Sequence, residues 1–353
     1  MRIAFIGATG AVGSALLIHL LKSSLLKPGD EIVLAGRGTP ESHARLLAIR
    51  TDLLDAFDEA AVQITVCASL EKLCADICIV AAGITPASPD NRQDLAVENL
   101  PFFEDLAQRL AAALPQAFFL VVSNPVELAV AAFCRHLDRH RVMGMGAQQD
   151  SLRFARAVAA KLGVHRSTVR ASVFGEHGEW MLPMWSSVYL TDASEEQTAC
   201  LRNLQAAYEA DDTWQTVRQT RQAVMQLVQS GSVAAAYSLL EEAAPEVKIL
   251  IEPIVTFKLL RSTPNATANA TLDCLSAFIA ADERKLHGQV LLQGEFYGIT
   301  GVCGIPLCLR RSGWHMAAAD PLTEAEAGRL RRASTAINAS IEEVYRRLFP
   351  PKS

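Results

Sequence analysis

The residues best suited to chemistry gather around one histidine. Gly175-Glu176-His177-Gly178-Glu179 sets an imidazole between two glycines, and Asp150 and Arg153 lie a short way upstream. Imidazole is the side chain whose ordinary pKa, roughly 6.5, falls near working pH. A carboxylate such as Asp150 can fix its tautomer, and a guanidinium such as Arg153 can grip a substrate carboxylate through two parallel hydrogen bonds. Proton transfer on a small carboxylic acid needs that set of groups. A histidine flanked by glycines is also a common loop residue, and Asp150 reads equally well as a helix N-cap, so the surrounding elements decide.

The first line of the chain supplies the context. Arg2-Ile3-Ala4-Phe5-Ile6 is a β-type run, followed at once by Gly7-Ala8-Thr9-Gly10-Ala11-Val12-Gly13 and an apolar helical stretch from Ala15 to Leu21. Strand, glycine turn and helix form the dinucleotide-binding fingerprint, here spaced G-x-x-G-x-x-G. Gly7 permits the tight turn, Gly10 lets backbone N–H groups approach a pyrophosphate, and Gly13 lets the helix lie close on the strand. After the next strand, Glu31–Ala35, an acidic residue would normally hold the ribose hydroxyls. This chain has Gly36-Arg37-Gly38 instead. Loss of the carboxylate and gain of a cation favour NADP over NAD; the alternative is that Arg37 covers the adenine or faces solvent while NAD binds.

Composition agrees with an enzyme of this kind. At 353 residues the chain can build two domains with a substantial core. A net charge of −5 and the lack of a basic patch with interleaved aromatics argue against a nucleic-acid partner. An anionic substrate would therefore be held by local arginines. No apolar run reaches the roughly 20 residues needed to span a membrane. The N-terminus enters a strand directly, leaving no room for a signal peptide, so the expected location is the cytoplasm. Cys67, Cys74, Cys78, Cys134 and Cys274 read as small buried hydrophobes, and Cys74-x-x-x-Cys78 lacks the second pair of ligands a zinc site requires. No metal is expected.

The elements that must position these groups follow an α/β pattern. Strands are expected at 2–6, 31–35, 62–66, 77–81, 118–122 and 141–143, and helices at 12–23, 42–56, 95–113, 126–138 and 150–162. Strand-like segments follow at 168–174, 185–189, 289–292 and 305–309, and helices close the chain. Thr323-x-x-Glu326 and Ser194-x-x-Gln197 have the capping-box form. The expected fold is a Rossmann-type doubly wound parallel sheet over 1–145, followed by an α+β catalytic domain over 146–353.

In combination the motifs resemble the lactate/malate dehydrogenase family over most of the chain. The resemblance rests on the glycine turn, Ala81-Ala82-Gly83, Asn91-Arg92-Gln93-Asp94-Leu95, Ser123-Asn124-Pro125-Val126, Asp150-Ser151-Leu152-Arg153-Phe154 and the His177 loop. It continues through Pro183, Trp185-Ser186-Ser187, Leu292–Gly298 and Gly304-Ile305-Pro306. It implies a reversible exchange of hydride between NAD(P)H and a 2-oxo acid. In that scheme His177 donates and accepts the proton, Asp150 orients it, Arg153 binds the substrate carboxylate, and Arg92 polarises the carbonyl from a mobile loop. Asn124 would bond to substrate or His177. The cofactor would lie against Gly7, Thr9, Gly10, Ala11, Val12, Gly13, Gly36, Arg37, Ala82, Gly83, Asn99, Ser123 and Asn124. The resemblance also implies a homodimer or homotetramer.

Two departures bear on the substrate. Pro86 stands where malate enzymes carry an arginine and lactate enzymes a glutamine, and proline offers no side-chain donor. A monocarboxylic 2-oxo acid is then easier to accommodate than a dicarboxylic one. Residues 194–262 are longer than the family requires and read as helices, with Thr213 opening one, Pro245 in a first turn and Pro253 marking a kink or break. They would reshape the pocket or an oligomer contact, or form plain surface helices. Either Gly231-Ser232 or Ser262-Thr263 supplies the small residue facing the substrate; counting back from Asp282-Glu283-Arg284 favours Thr263. Three other functions are disfavoured: a semialdehyde dehydrogenase, because no cysteine has a nucleophile's context; a short-chain reductase, because no Tyr-x-x-x-Lys exists; and a non-catalytic dinucleotide sensor, because His177, Asp150, Arg153 and Arg92 are all retained.

Overall fold

A computed structural model describes residues 1–84, 92–210, 213–318 and 321–350. The first half is built on β1 (Arg2–Ile6), β2 (Glu31–Ala35), β3 (Gln63–Cys67), β4 (Ile77–Val80), β5 (Phe118–Val121) and β6 (Val142–Gly144). These strands pair in parallel in the order β3-β2-β1-β4-β5-β6. All four residues of β4 and all four of β5 are buried, as befits strands covered on both faces. Alternation along each strand divides the core. Ile3, Phe5, Ile32 and Leu34 pack with α1 (Ala11–Lys22) and α2 (Pro40–Phe57). Ala4, Ile6, Val33 and Val80 face the opposite way, onto α3 (Arg92–Ala113) and α4 (Val126–Cys134).

The second half begins with α5 (Gly146–Leu162) and turns antiparallel. β7 (Val169–Gly175), β8 (Met181–Leu190), β9 (Leu286–Gln293) and β10 (Thr300–Arg310) extend the same sheet in the order β9-β10-β7-β8, and β11 (Gly313–Met316) pairs with β10. β6 and β9 join the halves through Gly144 opposite Gln289. Between β8 and β9 run α6 (Glu195–Ala210), α7 (Thr213–Gln229), α8 (Val233–Glu242), α9 (Pro245–Leu260) and α10 (Pro264–Ala280). Helices α7, α8 and α9 bury a core of their own that includes Val217, Val224, Ala236, Leu240, Ile251 and Val255. The last helix, α11 (Glu324–Leu348), opens with the Thr323–Glu326 capping box, and Ser194–Gln197 forms the reciprocal pair ahead of α6. Among the described residues no helix is long and apolar enough to cross a membrane.

Three expectations require correction. Asp150 is not an N-cap: α5 begins four residues earlier, at Gly146, and its first-turn Ala147 N–H is capped by Gln289 Oε1 at 3.1 Å, from across the sheet. Of the kink or break expected at Pro253, the break does not occur: α9 continues through it, with Ile249, Ile251 and Val255 buried on both sides. Tertiary packing there outweighs the lost backbone hydrogen bond. Cys74 is exposed, since the neighbouring Leu73 takes the inward position.

Candidate active site

The end of β7 and the start of β8 are joined by a tight loop that carries His177. Gly175 has φ +84°, and a Cβ there would stand 2.4 Å from the Trp180 carbonyl oxygen, so only glycine fits the turn. Glu176 ties the loop to itself by accepting the Trp180 N–H at 2.9 Å. The loop delivers His177 to α5. Its Nδ1 lies 2.6 Å from Asp150 Oδ2, and the Asp150 side chain is fully buried. An ionised carboxylate only accepts hydrogen bonds, so this contact places the proton of the neutral ring on Nδ1.

Arg153 stands one helical turn beyond Asp150 on the same face of α5, the spacing at which side chains meet. Its Nη1 donates to Asp150 Oδ1 at 2.9 Å and its Nη2 to Thr263 Oγ1 at 3.3 Å. Thr263 precedes α10 and also accepts from Gln149 Nε2 at 3.1 Å. Gln149 in turn accepts from Thr267 at 3.3 Å. The side chains of His177 and Arg153 each keep 16% exposure, which leaves both accessible beside a buried carboxylate. The arrangement holds an imidazole in one tautomer with a fixed guanidinium close by. Gly231-Ser232, the competing small-residue candidate, lies between α7 and α8, where both residues are exposed.

A second constellation lies at the carboxyl ends of β1, β2, β4 and β5, where the strand order reverses between β1 and β4. Gly7 has φ +99°, and a Cβ there would approach the Ala81 carbonyl to 2.6 Å. A Cβ on Gly13 would stand 2.1 Å from Gly7 O, so α1 lies directly against the turn. Gly10 is the N-cap of α1, with no side-chain cap and no acidic residue in the first turn. Thr9, Gly10 and Ala11 are exposed, and Val12 is half-buried. This open helix terminus fits the pyrophosphate of a dinucleotide.

The remaining sequence-derived positions divide by exposure. Gly36 is half-buried and Arg37 exposed, just after β2. Gly83 and Asn124 are exposed after β4 and β5, and Ala82 is half-buried. Ser123 is buried and donates to the Ala82 and Val80 carbonyls at 2.5 and 3.1 Å. Asn99 is fully buried. It accepts from Ile84 N at 2.8 Å and donates to the Ile84 and Leu95 carbonyls at 3.1 and 3.0 Å. Both residues therefore brace the loop after β4 from behind. Pro86 lies outside the described residues; Arg92 opens α3, and its side chain is likewise outside them.

Sequence reasoning overlooked Glu127, Gly146 and Gln149. Gly146 lets α5 meet the histidine: a Cβ there would stand 2.6 Å from both Cβ and Cγ of His177. Glu127 accepts the backbone N–H of His177 at 2.6 Å while only 4% exposed. One signal for it existed, because it is the lone charge in the apolar run Val126–Cys134.

An open helix N-terminus behind a glycine turn, together with an Asp–His pair and a fixed arginine, is the equipment of a dinucleotide-dependent oxidoreductase. Comparison with known proteins specifies the family. A model described as lactate/malate dehydrogenase, NAD binding domain, matches residues 1–144, and one described as lactate/malate dehydrogenase, alpha/beta C-terminal domain, matches residues 148–252. The L-2-hydroxycarboxylate dehydrogenase (NAD(P)(+)) of Methanocaldococcus jannaschii is 26% identical over 98% of this chain and 99% of its own. L-lactate dehydrogenase B of Hordeum vulgare is 26% identical, covering 94% and 88%. The solved malate dehydrogenase of Aeropyrum pernix has the same fold, with a TM-score of 0.74 over 97% of each chain at 24% identity. The chain belongs to the lactate/malate dehydrogenase family. It is an NAD(P)-dependent oxidoreductase of 2-hydroxy acids, and the non-catalytic alternative is not favoured.

Proposed function

We propose that His177 is the proton carrier of this reaction and that the enzyme prefers NADP and a monocarboxylic 2-hydroxy acid. The observation that carries the first part is the 2.6 Å contact between His177 Nδ1 and the buried Asp150. A bound nicotinamide dinucleotide would supply the hydride acceptor for C2, or the hydride donor in the reverse direction. His177 Nε2 takes the proton of the 2-hydroxyl as the carbonyl forms, and Asp150 stabilises the imidazolium that results. Arg153 binds the substrate carboxylate as a fork, with Thr263 and Asp150 fixing its plane. Arg92 polarises the carbonyl and Asn124 bonds to it or to His177. Gly7, Gly10 and Gly13 hold the pyrophosphate, and Thr9, Ala11, Val12, Ala82 and Gly83 line the crevice.

The NADP preference rests on the exposed Arg37 after Gly36, where a carboxylate would repel a 2′-phosphate. Next to it Thr39 caps α2 by accepting the Ser42 N–H at 3.2 Å, so the phosphate would also meet a helix N-terminus. The monocarboxylic preference rests on Pro86, which has no donor for a distal carboxylate. A cytoplasmic homodimer or homotetramer completes the reading. The test is oxidation of NADPH and NADH in parallel against pyruvate, oxaloacetate and bulkier 2-oxo acids, with His177→Asn alongside. The variant is expected to lose turnover by ~10²-fold or more. Unchanged activity would remove His177 from the reaction, and faster turnover with NADH would remove the 2′-phosphate from Arg37.

A further inference from the structure

A buried carboxylate on a helix of aliphatic residues is costly unless its oxygens are hydrogen-bonded. Glu127 stands in the first turn of α4, where Val126, Leu128, Ala129, Val130 and Phe133 are all buried. Its Oε1 accepts the N–H of His177, 50 residues further along the chain, at 2.6 Å. Short contacts of this kind, with an ionised acceptor, are roughly twice as strong as neutral ones. The helix N-terminus on which Glu127 sits also favours a negative group.

We propose that Glu127 is a positioning residue for proton transfer, fixing the main chain of His177 where its ring meets Asp150. The inference rests on the reading of His177 as proton carrier. Asp150 holds the ring at Nδ1, and the bare backbone of Gly146 supports Cβ and Cγ from below. Those two contacts come from α5. Glu127 contributes the third, on the main chain, from another direction. It follows the Asn124-Pro125 turn at the end of β5, so one short segment carries both a candidate crevice residue and the clamp on the histidine. The loop after β7 and the turn after β5 are thereby held in fixed register. Proton and hydride must leave or reach adjacent atoms of one substrate, so that register matters to the rate. A misplacement of about 1 Å can cost about 100-fold.

The experiment compares Glu127→Leu and Glu127→Gln in the full-length enzyme. Leucine removes the acceptor, whereas glutamine keeps a neutral one. The expected result is a fall in kcat of about 100-fold for leucine and roughly tenfold for glutamine. The affinity for reduced dinucleotide, titrated by fluorescence, stays at its original value, and the solvent deuterium isotope effect on kcat rises as proton transfer becomes limiting. A kcat retained by the leucine variant overturns the proposal. So does a loss matched by an equal loss of dinucleotide affinity with no change in isotope effect, which is what a purely structural role would give. If the leucine variant does not fold, glutamine decides: its kcat must fall and its isotope effect must rise. His177→Asn, measured beside them, separates the two claims. If that variant is inactive while both Glu127 variants turn over normally, only the inference about Glu127 falls.

Discussion

His287, on β9 opposite Pro306, has 6% of its surface exposed, and neither ring nitrogen has a hydrogen-bond partner among the described residues. Its ring lies 6.1 Å from that of Phe174, and its backbone N–H donates to Gln148 Oε1 at 3.1 Å. Burial, with a smaller push from Lys285, lowers its pKa from 6.5 to about 3. In the unfolded chain the same imidazole protonates near 6.5. Between those values the unfolded state binds the extra proton and the native state does not. Stability therefore falls as pH falls below about 6.5, by about 1.4 kcal/mol per pH unit, until the native group itself protonates near 3. From pH 7 to pH 5 the loss from this one residue is about 2 kcal/mol. His287→Leu removes the titration and leaves no buried N–H unpaired, an omission worth about 1–3 kcal/mol. The assay is urea unfolding at pH 7 and pH 5, followed by tryptophan fluorescence. Subtracting the two proteins cancels every other titrating group. The variant is expected to gain about 2 kcal/mol on the wild type between these pH values. Parallel losses in the two proteins would refute the reasoning and show that the buried ring finds a proton-stabilising partner.

Other perturbations address the two site constellations. Gly13→Ala places a methyl 2.1 Å from the Gly7 carbonyl oxygen and is expected to abolish dinucleotide binding, read by quenching titration with NADPH. Unimpaired binding would mean that the turn has room to move. Thr263→Val keeps the shape and removes the acceptor for Arg153 and Gln149. The KM for the 2-oxo acid is expected to rise by roughly tenfold with a smaller effect on kcat, since a hydrogen bond to a charged group is lost. A change confined to kcat would place Thr263 elsewhere in the reaction.

The parallel half of the fold was legible because its signals are local. β1 and β2 run from 2 to 6 and from 31 to 35, as their sequence indicates: each is a short apolar run closed by glycine, and burial on both faces demands that composition. The seven-residue glycine motif likewise encodes its own geometry. Legibility ended where a contact came from far away. The start of α5 depends on Gln289, 142 residues distant, so nothing near Asp150 showed that it lies inside the helix rather than at its head. α9 survives Pro253 because its flanking residues pack into a core that only the folded chain assembles. Within the candidate site, Asp150, Arg153 and His177 could be singled out because their residue types announce chemistry. Thr263 was reached by counting and does stand against Arg153. Gly146 and Glu127 touch the same histidine, yet one offers only the lack of a side chain and the other only a charge out of place in an apolar helix.

The pairing of β6 with β9 bears on how this enzyme could be recombined with its relatives. An exchange of halves near residue 145 looks natural on paper, because the chain changes character there. The cut would fall beside Gly144, which pairs with Gln289, and Gln289 also caps α5. A chimera would therefore have to inherit strand, cap and helix start as one unit, from a single parent. The isolated first half would present β6 as a bare edge, open to pairing with another copy. Grafts that leave this seam intact and exchange α6 to α9 as a block respect the joints of the molecule better than a division by halves.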